Sequence, residues 1–315
     1  MKQSTLEKLR FPGQKDIKLF LESGDLNEGQ LRAQDKIFPI VRGIPRLFND
    51  QYDRYASRSF SAEWEELQSS DDVWGRPIPE RMKELEFLEI PLARLKGLDF
   101  LDCGCGNGLF ARAVALNYQA NVIGLDISRG LELANALADS AETIDFVQAD
   151  AQFPPFANES FDLIWCAGSI HHTPNPRKTF QALAPLLKKG GRIFLWLYTS
   201  PAKITFRLRA RRLTKEIVYR LPGVLQDIAV FLIACFTLSK QSIHYKILKG
   251  KLRVPFVPKL RHHLMMARDA FTVRYDWCLT KEEIILWHKE CSLKTIYAKY
   301  VELDDGPWLA ALAER

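Results

Sequence analysis

Between residues 96 and 200 the chain alternates between short apolar runs and amphipathic stretches. The runs at 98–102, 121–126, 144–148, 161–166 and 191–198 have strand length, while 108–118, 129–140 and 176–188 carry apolar positions at helical spacing. Strands and helices that alternate through short links predict an α/β fold, with a mainly parallel sheet covered by helices on both faces.

The rhythm breaks after Tyr198. Phe206, Ala210, Leu213, Ile217 and Leu221 recur three or four residues apart, which predicts a basic helix with one apolar face. The run Ile228–Leu238 follows. It falls well short of the roughly 20 residues of a membrane span and predicts a buried helix instead. A Pro- and Lys-rich stretch comes next. The alternation resumes near Tyr275, where Thr280 and Glu283 form a capping-box pattern ahead of a helix, and a last strand is expected at 294–301.

Upstream, residues 1–50 read as a small separate unit, with a strand at Ile37–Val41 and a turn at Gly43–Pro45. Residues 51–95 read as an aromatic helical cap (Tyr55, Phe60, Trp64, Trp74, Phe87) broken at Pro77 and Pro79. The expected organisation is an N-terminal segment at 1–50, a cap at 51–95, a core formed by 96–202 with 269–315, and a helical lid insertion at 203–268.

Charge sharpens that division. The 315 residues carry a net +6, but fifteen Lys and Arg against Glu216 and Asp227 give residues 203–268 a local +13, leaving −7 for the rest. At 47% hydrophobic and 26% charged the composition is that of an ordinary globular protein. Six scattered cysteines without C-x-x-C spacing, and a polar Met1–Arg10, predict reduced thiols and a cytoplasmic setting. Cys103 and Cys105 have no neighbouring Cys or His to complete a ligand set, so no metal site is expected.

Candidate chemistry begins at residues 101–108, LDCGCGNG, where Asp102, Gly104, Gly106 and Gly108 form a D-x-G-x-G-x-G array between a strand and a helix. Such a loop lets a ligand approach the backbone closely and meet the free N–H groups of a helix start. The next two strands end in Asp126 and Asp150. An acid at the first position suits ribose hydroxyls, and an acid at the second suits an exocyclic amine. A nicotinamide-binding loop requires a glycine where this chain has Leu109.

This combination resembles the class I S-adenosylmethionine-dependent methyltransferases over residues 96–200. The resemblance implies a seven-stranded, doubly wound Rossmann-like sheet and S-adenosylmethionine as cofactor. It assigns Asp102, Cys103, Gly104, Gly106, Asn107 and Gly108 to the methionine part, and Asp126 with the adjoining Ile127 to the ribose. Asp150 and Ala151 fall to the adenine, and Ala167 and Gly168 to the sulfonium. The GIP-ended opening segment resembles a zinc-ribbon module that has lost its metal cysteines. The run DWCLTKEEIILWHKECSL resembles the end of bacterial methyltransferases from natural-product and surface-saccharide clusters, which also carry a lid insertion.

His171 and His172 follow the fourth strand and are candidate general bases, His171 ahead because it is the first of the two after the strand. Tyr55, Phe60 and Trp64 either stack over the sulfonium or pack a core. The expected function is O-methylation of a small-molecule acceptor in a biosynthetic pathway. The alternatives are an RNA methyltransferase docking through 203–268, or a non-catalytic cofactor-binding regulator. AGSIHH stands where exocyclic-amine methylases carry an N-P-P-Y type loop, which disfavours nucleic acid. The basic segment suits a solvated lid, an anionic or carrier-linked acceptor, or peripheral contact with anionic lipid. The pattern sets no oligomeric state.

Overall fold

A computed structural model describes residues 1–66, 72–73, 76–137, 144–199, 206–249, 256–303 and 306–315. Trp74 and the end of the helix expected at 129–140 lie outside them. In chain order the main sheet is built from β1 (Phe20–Gly24), β2 (Gly29–Ala33), β3 (Lys36–Val41), β4 (Ile44–Leu47), β5 (Asp99–Cys103), β6 (Asn121–Asp126), β7 (Ile144–Ala149), β8 (Phe161–Ala167), β9 (Leu187–Tyr198), β10 (Lys294–Leu303) and β11 (Gly306–Glu314). Their order across the sheet is β10-β11-β9-β8-β5-β6-β7-β4-β3-β2-β1.

The seven strands from β10 to β7 are the doubly wound core. β7, β6, β5, β8 and β9 run parallel, and the β10–β11 hairpin closes one side antiparallel. The order reverses between β5 and β8, so the crevice at their carboxyl ends is where such a sheet binds ligands. Alternate residues of each strand feed two apolar clusters. Leu101, Leu125, Val147 and Cys166 join one, and Phe100, Val122, Phe146 and Trp165 the other. Strands buried on both sides in this way read as near-continuous apolar runs.

Two features depart from expectation. β11 is a second strand after 294–301. Its Leu309–Ala313 are all fully buried, and an alanine-rich run without alternation carries little strand signal. Residues 1–50 do not stand apart, because β4 pairs parallel to β7 and carries the antiparallel β1–β3 with it, extending the sheet to eleven strands. Leu6, Leu9, Phe11, Leu31 and Leu47 enter the same cluster as Val147 and Phe156, and Thr5 donates to the buried carboxylate of Asp145 at 2.5 Å. Cutting this segment away would expose that shared core.

The helices of seven residues or more are α1 (Arg54–Glu66), α2 (Leu109–Tyr118), α3 (Leu131–Leu137), α4 (Pro176–Leu183), α5 (Phe206–Val218), α6 (Gly223–Lys249), α7 (Phe256–Thr272) and α8 (Lys281–Glu290). α2 and α3 cover one face of the core sheet, while α4 and α8 cover the other. The Thr280 side chain accepts from Glu283 N–H and the Glu283 carboxylate from Thr280 N–H, the reciprocal cap expected from the sequence. The insertion contributes α5, α6 and α7. α7 lies against α1, and Tyr55 ties the two regions by donating to the carbonyl of Thr272 at 2.7 Å.

Candidate active site

A cavity of about 1030 Å³, partly open to solvent, sits above the β5–β8 crevice between the core, α1 and α7. Its floor is the glycine loop. The N–H groups of Gly104 and Cys105 donate to Leu125 O (2.7 and 3.1 Å), and Gly106 N–H donates to the Asp126 carboxylate at 2.8 Å. The loop is thereby tied to the end of β6. Gly106 has φ +56°, and a Cβ there would lie 2.2 Å from the Trp64 ring. Only glycine allows α1 to settle this close onto the loop.

Asp126 also accepts from Ser128 N–H at 2.7 Å. Asp150 accepts from Gln152 N–H at 2.8 Å and from Asp53 N–H at 3.2 Å, which ties the start of α1 to β7. Burial pushes the pKa of both acids up, against the pull of these donors. Asp102 has a different balance. Burial raises it to about 7, with Arg81 opposing and Asp126 adding to the rise.

Asp102, Gly104, Asp126, Ile127, Asp150, Ala151, Ala167, Gly168 and His172 all line the cavity. Five other sequence candidates do not. Cys103 points to the opposite sheet face, into the cluster of Leu101 and Cys166, because consecutive strand residues alternate. Gly106 lies beneath Trp64, and Gly108 packs on Ala134 and Phe146 at the start of α2. Asn107 is buried and its Oδ1 accepts from Leu109 N–H at 3.3 Å. His171 is fully buried behind the wall, its ring 4.2 Å from those of His172 and Tyr198. Being first after the strand puts it inside the protein, and the next residue reaches the cavity.

His172 is held from three sides. Its Nδ1 is 2.9 Å from Tyr275 O, its Nε2 is 3.4 Å from Asp269 Oδ1, and Phe60 meets the ring edge-on at 5.6 Å. The Tyr198 hydroxyl donates to Asp269 Oδ2 at 2.7 Å, and burial beside Asp269 holds that phenol well above its usual range. Asp269 comes from α7, which runs through the boundary expected at 268, so the helix that ends the insertion supplies part of the cavity wall. Sequence reasoning does not find Asp269, nor Asp53, Glu63 and Arg81, since none sits in a spaced motif, and Cys105 falls at an unspecified position of the glycine array. Phe60 and Trp64 line the cavity as well, whereas Tyr55 faces α7.

The lining fits S-adenosylmethionine. A molecule carrying a sulfonium and an ammonium meets six carboxylates (Asp53, Glu63, Asp102, Asp126, Asp150, Asp269) and one arginine, Arg81. Gly168 opens onto space where any side chain would project.

A methyltransferase-domain family model matches residues 101–195, from the end of β5 into β9. Cycloartenol-C-24-methyltransferase 1 of Oryza sativa subsp. japonica is 33% identical over 151 residues, 46% of this chain and 43% of that protein. A ubiquinone biosynthesis O-methyltransferase of Paracidovorax citrulli (strain AAC00-1) is 36% identical over 116 residues, 36% of this chain and 48% of that protein. The chain thus spans less than half the length of these curated relatives. Among solved structures, Haemonchus contortus phospholethanolamine N-methyltransferase 2 superposes with a TM-score of 0.52 at 14% identity, covering 90% of this chain and 62% of that one, a likeness of fold. The matched residues are those that form the glycine loop and the acid-bearing strand ends, and over them the chain carries a methyltransferase domain.

Proposed function

We propose that the chain methylates a hydroxyl oxygen of a small-molecule acceptor, with His172 as general base. When bound, S-adenosylmethionine supplies an electrophilic methyl group. Asp102 and the glycine loop would hold its amino-acid part, Asp126 the ribose, and Asp150 with Ala151 the adenine. The relatives carry the names of C- and O-methyltransferases, so the acceptor atom has to be argued from this chain's own residues.

The observation that supports oxygen is the setting of His172. With its proton on Nδ1, the imidazole donates to Tyr275 O and leaves Nε2 as the basic nitrogen at the cavity wall. Asp269 then favours the imidazolium that forms when Nε2 takes the acceptor's proton, and Tyr198 fixes the carboxylate by its hydrogen bond. An amine nucleophile needs no such base, whereas a hydroxyl gains from one. The part of the acceptor that enters is neutral or cationic, because beyond the three acids given to the cofactor an anion would still face Asp53, Glu63 and Asp269. Six free cysteines suit a reducing compartment, the cytoplasm.

The test is turnover of methyl-labelled cofactor with a metabolite extract, followed by isolation of the labelled product. An O-methyl product, with kcat falling about 10²–10⁴-fold in His172→Ala at unchanged cofactor affinity, is the expected result. A product methylated on nitrogen or carbon would refute the oxygen assignment. Tight cofactor binding with no label transferred would refute catalysis.

A further inference from the structure

β4 meets β7 in a register that sets Arg46 beside Gln148 and Leu47 beside Ala149, one residue short of Asp150. Partners on neighbouring strands lie about 4.8 Å apart and share a face of the sheet. Arg46 and Gln148 use that proximity. The guanidinium Nη1 donates to Gln148 Oε1 at 2.8 Å, and Nη2 donates to Glu132 Oε1 at 3.1 Å. Gln148 is buried, and its Nε2 reaches the other way, donating to Ser128 O at 3.0 Å and to Ile127 O at 3.2 Å.

The amide makes this an ordered relay. A glutamine side chain keeps its shape when oxygen and nitrogen exchange places, but only one orientation satisfies these neighbours. Two carbonyls on one side require the NH2, and the guanidinium on the other requires the oxygen. Arg46 therefore selects the way the amide faces. What the amide holds is the turn that aims Asp126. Ser128 joins the two, since its carbonyl accepts from Gln148 and its N–H donates to Asp126 Oδ1 at 2.7 Å. α1 grips the same turn, with Ser57 Oγ donating to Ile127 O and Ser61 Oγ accepting from Arg129 N–H, both at 2.9 Å. Arg46, Ser57 and Ser61 all lie outside residues 101–195, which match the methyltransferase-domain family.

We infer that Arg46 is a positioning residue for the cofactor site. Acting through Gln148, it fixes the Ile127–Ser128 turn and so the direction in which Asp126 meets the ribose hydroxyls. This role rests on Asp126 being the ribose acid, and it is independent of the acceptor and of the base. It gives the N-terminal strands a duty at the site beyond extending the sheet. Glu132 does not depend on Arg46, because Arg42 also pairs with it.

The test is titration calorimetry with S-adenosylhomocysteine, and competition against it by adenosine and by 2′,3′-dideoxyadenosine, which differ only in the ribose hydroxyls. Gln148→Glu keeps the size and the Arg46 contact but removes both donors. Affinity for S-adenosylhomocysteine and for adenosine should fall by one common factor, about tenfold, while dideoxyadenosine stays within about twofold of its affinity for the unaltered protein. Arg46→Met should show the same pattern at about three- to fivefold, and Arg46→Lys, which can still donate to the amide oxygen, should restore most of the loss. Ser57→Ala releases the Ile127 carbonyl from α1 and reports on the turn even where a Gln148 variant does not fold. Its loss should again follow the ribose hydroxyls. Full affinity in Arg46→Met, or a loss equal for both nucleosides, would overturn the inference, the second by showing a general distortion of the cavity. Asp126→Ala separates the two levels. If it keeps full affinity, the ribose assignment falls and the role of Arg46 with it, whereas a loss there with none in Arg46→Met overturns the positioning role alone.

Discussion

The two sides of α7 look onto regions built from opposite materials. On one side Asp269 joins a cavity lined by six carboxylates and a single arginine. On the other, α7 supports α6, whose far face is apolar and exposed. The net charge of +6 is therefore the sum of an acidic interior site and a basic exterior. Whole-chain charge would suggest an anionic ligand for this protein, but the cavity itself is built for a cation. The difference separates what the chain binds for chemistry from what it meets at its surface, and each region can be perturbed without the other.

The largest effect is expected at the end of β6. Asp126→Ala removes the acceptor of two buried N–H groups, those of Gly106 and Ser128, and so loosens the loop along with any ribose contact. The two hydrogen bonds that a ribose would make to this carboxylate are worth about 1.5–3 kcal/mol each, so cofactor affinity should fall at least about 10²-fold by calorimetry. Were affinity kept, Asp126 would be structural, and the cavity's claim to be the cofactor site would fall. A smaller effect is expected for Asp269→Asn, which keeps the volume and removes the charge beside His172 Nε2. Its kcat should fall about 10–100-fold with cofactor affinity unchanged. An unaltered kcat would show that Asp269 only packs.

The core is legible in the sequence because buried parallel strands are apolar runs that end at the ligand site. Pattern alone therefore places Asp102, Asp126 and Asp150 as strand-end acids. Less is legible wherever burial comes from a neighbour remote in sequence. Asp269 lies more than a hundred residues from Asp150, and only the packing of α7 on α1 brings it to the cavity. β1 is exposed along its whole length, so it has no apolar alternation to betray it. The α5 stripe shows in the sequence as an apolar face, but its direction does not, because periodicity reports that a face exists without reporting what it faces. Cys103 and His171 mislead for a related reason: a motif names consecutive residues, while a strand or tight turn sends neighbours to opposite sides.

A third effect, about tenfold per pH unit, is expected from Asp102. Its pKa is raised from 3.8 to about 7, so in the ligand-free protein it is uncharged below that pH. The unfolded chain ionises this group first, so its burial costs stability progressively as pH rises from about 4 to about 7. A cation bound beside it needs the ionised form. Cofactor affinity should then fall up to about tenfold for each unit of pH below 7 and level off above it, and Asp102→Asn should flatten the curve at the lower affinity. Titration calorimetry from pH 5.5 to 8 measures this. A flat profile in the unaltered protein would mean that the cofactor's cation lies elsewhere on the wall.

The smallest effect is expected at His171, and it tests the adjacent assignment most sharply. Both ring nitrogens of His171 are buried without a hydrogen-bond partner, and burial, together with the nearby His172 and Lys215, holds its pKa well below the usual imidazole range. It stays neutral at every working pH and does not reach the cavity, so it has no proton to exchange with an acceptor. His171→Leu replaces an unsatisfied polar ring by an apolar side chain of comparable size, and its backbone carbonyl can still accept from Trp277 N–H. The melting temperature should hold or rise, and turnover should stay within about threefold, the range of a packing adjustment at a neighbouring ring. The pair His171→Leu and His172→Ala then forms a matched comparison of adjacent imidazoles that differ in what they face. A stable His171→Leu protein with turnover as low as His172→Ala would mean that the second ring works only through the first, and the base would have to be reassigned.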